Sequence, residues 1–144
     1  MKRVLLTLFL LVGAASAHSE LERASPGQGA VVTALPREVV LEFSEPLELA
    51  FSTFKVYPLG ADLAETDAQR LGGLAGALVG DVLSARGDEA ARADAGVVKG
   101  ERTGARVVLA LKADLGPGHY VVMWRGPSVD SHTSSGFYLF TYRP

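Results

Sequence analysis

Residues 118–127 read Gly-His-Tyr-Val-Val-Met-Trp-Arg-Gly-Pro, an apolar segment bounded by glycine and proline turns. Tyr120, Val122 and Trp124 recur with a period of two, which places them on one face of a β-strand. Trp124 is the single tryptophan of the sequence, and its place on this face predicts that it lies in the core. The segment therefore indicates a central strand of a β-sheet protein.

The same alternation recurs elsewhere along the chain. Val39, Leu41 and Phe43 share one face of a run that stops at Ser44-Glu45-Pro46. Further short strands are predicted at Leu21–Ser25, Phe51–Tyr57, Val97–Lys99, Arg106–Leu111 and Gly136–Tyr142. Repeated short strands with Gly/Pro turns between them favour an all-β fold, an antiparallel β-sandwich.

An insertion of different character interrupts the strands between about residues 62 and 104. Its apolar residues recur at three- and four-residue spacing, which predicts a helix, or a helix broken by its glycines into loop, lying across a sheet face; they are Leu71, Leu74, Leu78 and Val82. Thr66 or Asp67 is a suitable N-cap. The polar, alanine-rich residues from Arg86 to Gly96 are predicted to form a mobile loop.

Composition limits the possible functions. The chain has 144 residues, enough for one domain, with 48% hydrophobic and 21% charged residues, which is typical of a globular protein. It has no cysteine, so disulfides and thiolate metal sites are excluded. The net charge is −2 and there is no basic run, which argues against a nucleic-acid partner.

Residues 1–17 have the pattern of a secretory signal peptide. Lys2 and Arg3 precede the apolar run 4–12, and Ala15-Ser16-Ala17 matches the small-x-small cleavage pattern. The run is too short to be a stable membrane anchor. Cleavage after Ala17 leaves one domain, 18–144, with 12 Lys and Arg against 16 Asp and Glu. We expect export to the periplasm or the cell exterior, with no membrane-embedded segment after cleavage.

Cleavage at this point makes His18 the first residue of the mature protein. The α-amine and the ring Nδ1 of an N-terminal histidine can close a six-membered chelate on one metal ion. An α-amine and an imidazole titrate near 7.7–8.0 and 6.5, so both are available near neutral pH. Asp130 and His132 lie two residues apart after the Gly-Pro turn and supply an oxygen and another nitrogen. Such an N,O set favours Cu(II), with Ni(II) second.

These features together resemble the CopC/PcoC family of periplasmic copper-resistance proteins. The resemblance rests on four motifs in a fixed order. The first two are a signal peptide ending just before His18, and Leu21 followed by Ala24-Ser25-Pro26 and Gly29; the third is residues 41–47, Leu-Glu-Phe-Ser-Glu-Pro-Leu. The fourth runs from Gly118-His119-Tyr120 through Trp124-Arg125 to Ser128-Val129-Asp130-Ser131-His132, followed by Gly136. These motifs cover about two-thirds of the mature chain, at both of its ends. Each motif alone is weak, but their combination and order are specific.

The resemblance implies a cupredoxin-like, Ig-like Greek-key β-sandwich or barrel that holds one Cu(II) per chain. His18, Asp130 and His132 match the family's ligands, and Glu45 matches a glutamate near that site. The implied function is a copper carrier or buffer in copper resistance and homeostasis, not an enzyme. Its implied partners are an inner-membrane copper importer or another periplasmic or outer-membrane copper protein. Ser131 and Thr133 stand where threonine and proline are common, and neither change removes a ligand.

Three further expectations concern single side chains. Many relatives bind Cu(I) through a methionine-rich segment, whereas the mature chain has only Met123, so we expect Cu(II) alone. His119 is expected to be exposed in its glycine-rich turn and unligated. Arg125 either braces Asp130 or Glu45, or is simply exposed.

Two other classes of function stay open at this point. An N-terminal histidine with a second histidine also resembles the copper brace of lytic polysaccharide monooxygenases, which would make the protein a copper enzyme. Asp130 would then occupy a position that such enzymes keep open for oxygen, and the small chain leaves little surface for a polysaccharide. The other class is a structural or interaction domain that binds no metal.

Overall fold

The computed structural model describes residues 19–98 and 103–144, so the predicted signal peptide, His18 and Lys99 lie outside the described residues. Two four-stranded sheets and a helix make up the fold. The strands are β1 Leu21–Ser25, β2 Val31–Val32, β3 Glu38–Glu48, β4 Thr53–Leu59, β5 Asp94–Val97, β6 Thr103–Leu111, β7 Gly118–Pro127 and β8 Thr133–Tyr142; the helix is α1 Ala68–Val82, and a short 3-10 helix spans Leu49–Phe51.

The strands form the predicted β-sandwich. One sheet has the order β1-β3-β6-β5 and the other the order β2-β8-β7-β4. Neighbouring strands are antiparallel, apart from the two-residue pairing of β2 with β8, which is parallel. The longest pairing joins β7 to β8, from Gly118↔Tyr142 to Pro127↔Thr133. The turn that joins β7 to β8 is therefore held in place by ten consecutive residue pairs of the two strands.

The core between the sheets consists of the predicted faces. Val39, Leu41 and Phe43 of β3 are at most 4% exposed and face Tyr120, Val122 and Trp124 of β7. The rings of Phe43 and Trp124 meet edge to face, with centroids 5.7 Å apart. A Cβ on Gly136 would come within 2.5 Å of the indole ring, so that position of β8 requires glycine. Trp124 is thus central to the core, as predicted.

Helix α1 covers the outer face of the second sheet, which makes the protein three layers thick. Asp67 is its N-cap, as predicted, and the Oδ1 of Asp67 accepts a hydrogen bond from the N–H of Arg70 at 2.8 Å. Apolar side chains of the helix pack against the sheet, namely Leu71, Ala75, Leu78, Val79 and Val82 against Tyr57, Leu59, Val121, Met123 and Leu139. Across residues 19–98 and 103–144, no helix has both the length and the apolar character to cross a membrane.

The prediction of a mobile loop from Arg86 to Gly96 is wrong for Asp94–Gly96, which belong to β5. The preceding residues are also anchored. Lys55, only 3% exposed, donates from Nζ to the carbonyls of Val82 and Ala85 at 2.8 Å each and to the Asp88 carboxylate at 2.6 Å. These bonds hold the loop and the end of α1 against β4.

The prediction that His119 is exposed is also wrong, because this residue is buried, with only 2% of its surface accessible. Its Nδ1 lies 2.7 Å from the hydroxyl of Thr141, and its Nε2 lies 3.1 Å from the carbonyl of Asp62. A carbonyl only accepts hydrogen bonds, so Nε2 carries the proton of this contact. The physical reason for the burial is the segment before α1, which covers the start of β7. His119 is therefore a structural residue.

Candidate metal centre

The five residues between β7 and β8, Ser128 to His132, form a tight turn. The N–H of Ser128 donates to the carbonyl of His132 at 2.8 Å, and the N–H of Ser131 donates to the carbonyl of Ser128 at 2.9 Å. Ser131 has a φ of 73°, the left-handed region that closes such turns. The N–H of Val129 bonds to the carbonyl of Pro46 at 3.2 Å, which fastens the turn to β3. We call residues 128–132 the metal loop, after the two ligands that the sequence predicts in it.

The metal loop brings together two of the three predicted ligands. Oδ1 of Asp130 and Nδ1 of His132 are 3.2 Å apart. Ligand bonds of about 2.0–2.2 Å place neighbouring donor atoms roughly 2.9–3.4 Å apart on one metal ion, so this spacing suits a shared ion. The two side chains are 37% and 55% exposed, which makes the pair reachable from solvent.

Hydrogen bonds stabilise the charged form of the Asp130 carboxylate. Its Oδ1 accepts hydrogen bonds from the hydroxyl of Ser128 and from the N–H of His132, the latter at 3.2 Å. The Ser128 bond is the main reason that the pKa of Asp130 lies below its usual range, followed by the His132 amide. The carboxylate is consequently charged at neutral pH, as a hard oxygen ligand must be. Ser128 itself is 1% exposed and fixed in place.

The first described residue, Ser19, is anchored close to the metal loop. It is 2% exposed, and its hydroxyl donates to the carbonyl of Glu45 at 2.7 Å. Its own carbonyl accepts a hydrogen bond from the hydroxyl of Ser134, two residues after His132. Glu20 continues the contact, with its N–H 2.9 Å from the Ser44 hydroxyl. The start of the described chain is therefore held between the end of β3 and the start of β8.

The remaining predicted site residues fall into two groups. His18 lies outside the described residues. Glu45 and Arg125 are exposed, and Arg125 makes no bond to Asp130 or Glu45. Within residues 19–98 and 103–144, no three His, Asp or Glu side chains come close enough to hold a metal ion together. Among the described residues, the predicted ligands that come together are thus Asp130 and His132.

Sequence reasoning missed the two serines that organise this region. Ser128 could have been found, because a serine two residues before an aspartate commonly forms a local side-chain bond in a turn. Ser19 carried no signal, since its partners Glu45 and Ser134 are distant in sequence and their bonds to Ser19 appear only in the folded chain.

A comparison with protein families places the chain in a known family. The family model described as the CopC domain matches residues 21–78 and 74–143, which include both sheets, the helix and the metal loop. The chain belongs to the CopC family. This CopC-family chain is also 27% identical over 140 residues to Protein YobA of Escherichia coli (strain K12), covering 96% of this chain and 90% of that protein.

Two further relatives have names that mention copper. Copper transport protein CutJ of Bacillus subtilis (strain 168) is 36% identical over 64 residues, which are 44% of this CopC-family chain and 12% of CutJ. The crystal structure of PcoC, a methionine-rich copper resistance protein from Escherichia coli, matches with a TM-score of 0.60 and 27% identity over 88% of this chain and 100% of PcoC. The crystal structure of CopC from Methylosinus trichosporium OB3b matches with the same TM-score at 24% identity, over 88% of this chain and 95% of that one, and supports the fold alone.

Proposed function

We propose that this CopC-family protein binds one Cu(II) ion in the periplasm and carries or buffers it in copper resistance and homeostasis. The ligands are the α-amine and imidazole of His18, the carboxylate of Asp130 and the imidazole of His132. An inner-membrane copper importer, or another periplasmic or outer-membrane copper protein, exchanges the metal with it. The names of PcoC and CutJ support copper as the cargo.

The observation that carries the proposal is the anchoring of Ser19. Consecutive Cα atoms are 3.8 Å apart, so His18 joins the chain at a buried residue that is itself bonded to Ser134. Ser134 follows His132 by two residues on the strand that leaves the metal loop. This arrangement supports a site in which the N-terminal histidine completes the coordination begun by Asp130 and His132. The family assignment favours such a carrier over the copper-brace enzyme.

The experiment that tests the site compares Asp130→Ala and His132→Ala with a matched control, Asp114→Ala, in protein that starts at His18. Cu(II) titration followed by paramagnetic resonance is expected to show one Cu(II) per chain in the parent and in Asp114→Ala. Asp114 is an exposed acid between β6 and β7. Either loop substitution removes a ligand, so a weaker and spectrally different complex is expected. A parent-like spectrum in both loop variants would refute the proposed ligands.

Copper selectivity gives a second prediction. Soft thioether ligands select Cu(I), and the mature sequence has only Met123, which is 0% exposed beneath α1. We therefore expect stoichiometric Cu(II) binding and only weak Cu(I) binding. Competition with a chromophoric Cu(I) chelator under reducing conditions measures this. Tight one-to-one Cu(I) binding would contradict the assignment.

A further inference from the structure

A depression of about 370 Å³ opens at the base of the metal loop. Its lining includes Phe51, Thr53, Arg86, Arg125, Pro127 and Thr133. The pair Pro127↔Thr133 is the last rung of the β7–β8 ladder before the loop begins. We call this depression the arginine cleft. It is continuous with the metal loop through that rung.

The floor of the arginine cleft is closely packed. Ser52 lies directly over Gly126, and a Cβ on Gly126 would come within 1.9 Å of the Ser52 hydroxyl oxygen. That hydroxyl donates to the carbonyl of Glu48 at 2.8 Å. The short helix that carries Phe51 is thus seated firmly on β7. A partner that touches Phe51 would meet a preformed surface.

The cleft concentrates positive charge on an acidic protein. Arg86 and Arg125 are both exposed, and neither guanidinium group makes an ion pair or hydrogen bond with another described residue. Arg23, Arg70 and Arg92, by contrast, each lie against a carboxylate. The whole chain carries a net charge of −2. Two guanidinium groups without carboxylates are therefore available to an acidic ligand, which arginine binds in a bidentate manner.

Apolar side chains flank these charges. Phe51 is 76% exposed at the cleft, and Val129 is 51% exposed in the metal loop. Aromatic residues and arginine are the types enriched at protein interfaces and their hot spots. A small carboxylate would pair with the arginines and leave Phe51 uncovered, whereas a polypeptide can cover both. The combination fits a protein partner.

We propose that the arginine cleft docks an acidic segment of a partner protein, with carboxylates on Arg86 and Arg125 and an apolar side chain on Phe51. Docking there brings the partner beside the exposed Asp130–His132 pair. The copper exchange that this contact serves rests on the proposed function, but the docking itself requires no copper. Opposite charges at the rim of an interface mainly accelerate and orient association.

The test uses a short synthetic peptide of alternating glutamate and leucine, with its glutamine counterpart as the neutral control. Binding to copper-free and Cu(II)-loaded protein is measured by fluorescence anisotropy, and amide shifts are mapped by NMR. The acidic peptide is expected to bind, to shift residues around Phe51 and Arg125, and to weaken as salt is added. The double variant Arg86→Glu/Arg125→Glu is expected to bind it about tenfold or more weakly.

The control variants keep the total charge comparable. Arg37→Glu reverses one exposed arginine just before β3, far along that strand from Pro46, and is expected to bind the peptide like the parent. Arg125→Glu alone changes the net charge by the same amount as Arg37→Glu, so these two variants are compared directly. Binding by Arg125→Glu that is as tight as binding by Arg37→Glu would overturn the proposal, as would shifts that map away from the cleft. Citrate that binds the cleft as tightly as the peptide would replace the protein partner with a small anion.

Failure of the docking proposal and failure of the proposed copper-binding function give different results. Cu(II) resonance spectra of the double variant are expected to match the parent, because neither arginine is a ligand. Loss of peptide binding with an unchanged copper spectrum supports the cleft. A parent that binds no Cu(II) refutes the proposed function and leaves peptide binding to be judged on its own.

Discussion

Protein that retains one residue before His18 is expected to bind Cu(II) more weakly than protein that begins at His18, by about 3 kcal/mol or more than a hundredfold. The added residue converts the α-amine into an amide, which is no longer a free amine donor. The six-membered chelate is lost and only the imidazole of His18 remains. Tethered donors have a large entropic advantage over separate ones, which is why one residue has so large an effect.

The extra residue should leave the fold unchanged, so the difference in Cu(II) affinity between the two forms measures the contribution of the α-amine alone. The described contacts of the chain start at Ser19, whose hydroxyl and carbonyl are bonded to Glu45 and Ser134. Ser134→Ala removes one of these bonds and keeps the amine, so a smaller loss of affinity is expected. Cu(II) titration and resonance spectra at fixed pH compare the three proteins. Identical affinities and spectra for the extended and the cleaved forms would show that the amine is not a ligand.

The pH response of the two forms should differ as well. Protons compete with Cu(II) for an α-amine, which titrates near 7.7–8.0, so the affinity of the cleaved form falls between pH 7 and 5. Asp130 adds little to this fall, because the bonds from Ser128 and His132 keep its pKa below the usual range. The extended form has no amine to protonate at this position. Its affinity should therefore decrease less steeply over the same interval.

The sandwich could be predicted because its core strands obey a period of two. On β3 the buried Val39, Leu41 and Phe43 alternate with Val40 and Glu42, which lie on the other face, and this period of two identifies the buried face. The spacing of Asp130 and His132 was equally informative, because a tight turn keeps such residues close. Such local patterns predict the structure well, because residues that are close in sequence stay close in the folded protein. The predicted Gly-Pro turn before Asp130 and His132 was wrong, since Gly126 and Pro127 are paired residues of β7.

The spacing of apolar residues predicted the helix of the third layer, but the strand patterns did not show which outward-facing side chains the helix and its flanking loops bury. Lys55 and His119 lie on the outer faces of β4 and β7, where an alternating pattern indicates solvent, but α1 and its flanking loops cover those faces. Whether the second face of a sheet is covered depends on where the insertion packs. That position follows from long-range contacts such as the one between Lys55 and Asp88, 33 residues apart. Periodicity within one strand carries no information about them.

The second large effect is expected at this contact: Lys55→Met should reduce the free energy of unfolding by about 3–5 kcal/mol. Lys55 and Asp88 are 4% and 12% exposed, with Nζ and Oδ2 2.6 Å apart. Methionine fills a similar volume but leaves the Asp88 charge, which then has only Tyr57 and the more distant Arg92 beside it. It also leaves the carbonyls of Val82 and Ala85 without this donor. Urea unfolding at neutral pH measures the change.

Lys112→Met is the matched control, because Lys112 also reaches the loop after α1. Its Nζ donates to the carbonyl of Glu89 at 2.7 Å, but that bond is exposed to solvent. Water replaces such a contact at little cost, so a change within about 0.5 kcal/mol is expected. Equal destabilisation by the two substitutions would contradict the special role of the buried ion pair. Both variants should keep the parent Cu(II) spectrum wherever they are folded.

Acid should reduce the difference between the parent and Lys55→Met. The hydrogen bond from Lys55, followed by that from Tyr57, lowers the pKa of Asp88. Burial and the same Asp88 bond raise the pKa of Tyr57 to about 12, so the phenol stays a neutral donor. Because Asp88 has a lower pKa in the folded than in the unfolded protein, its contribution is complete above about pH 4 and is lost as the pH falls through the folded value. The deficit of the variant should shrink over that interval.

A double substitution separates the ion pair from the packing around it. Asp88→Leu in the Lys55→Met background removes the buried charge that the single substitution leaves behind, and a buried pair exchanged for apolar side chains is often nearly neutral. The double variant is therefore expected to be more stable than the sum of the two single changes predicts, by about 1–3 kcal/mol. Strict additivity would show that Lys55 acts mainly through the carbonyls of Val82 and Ala85 at the end of α1.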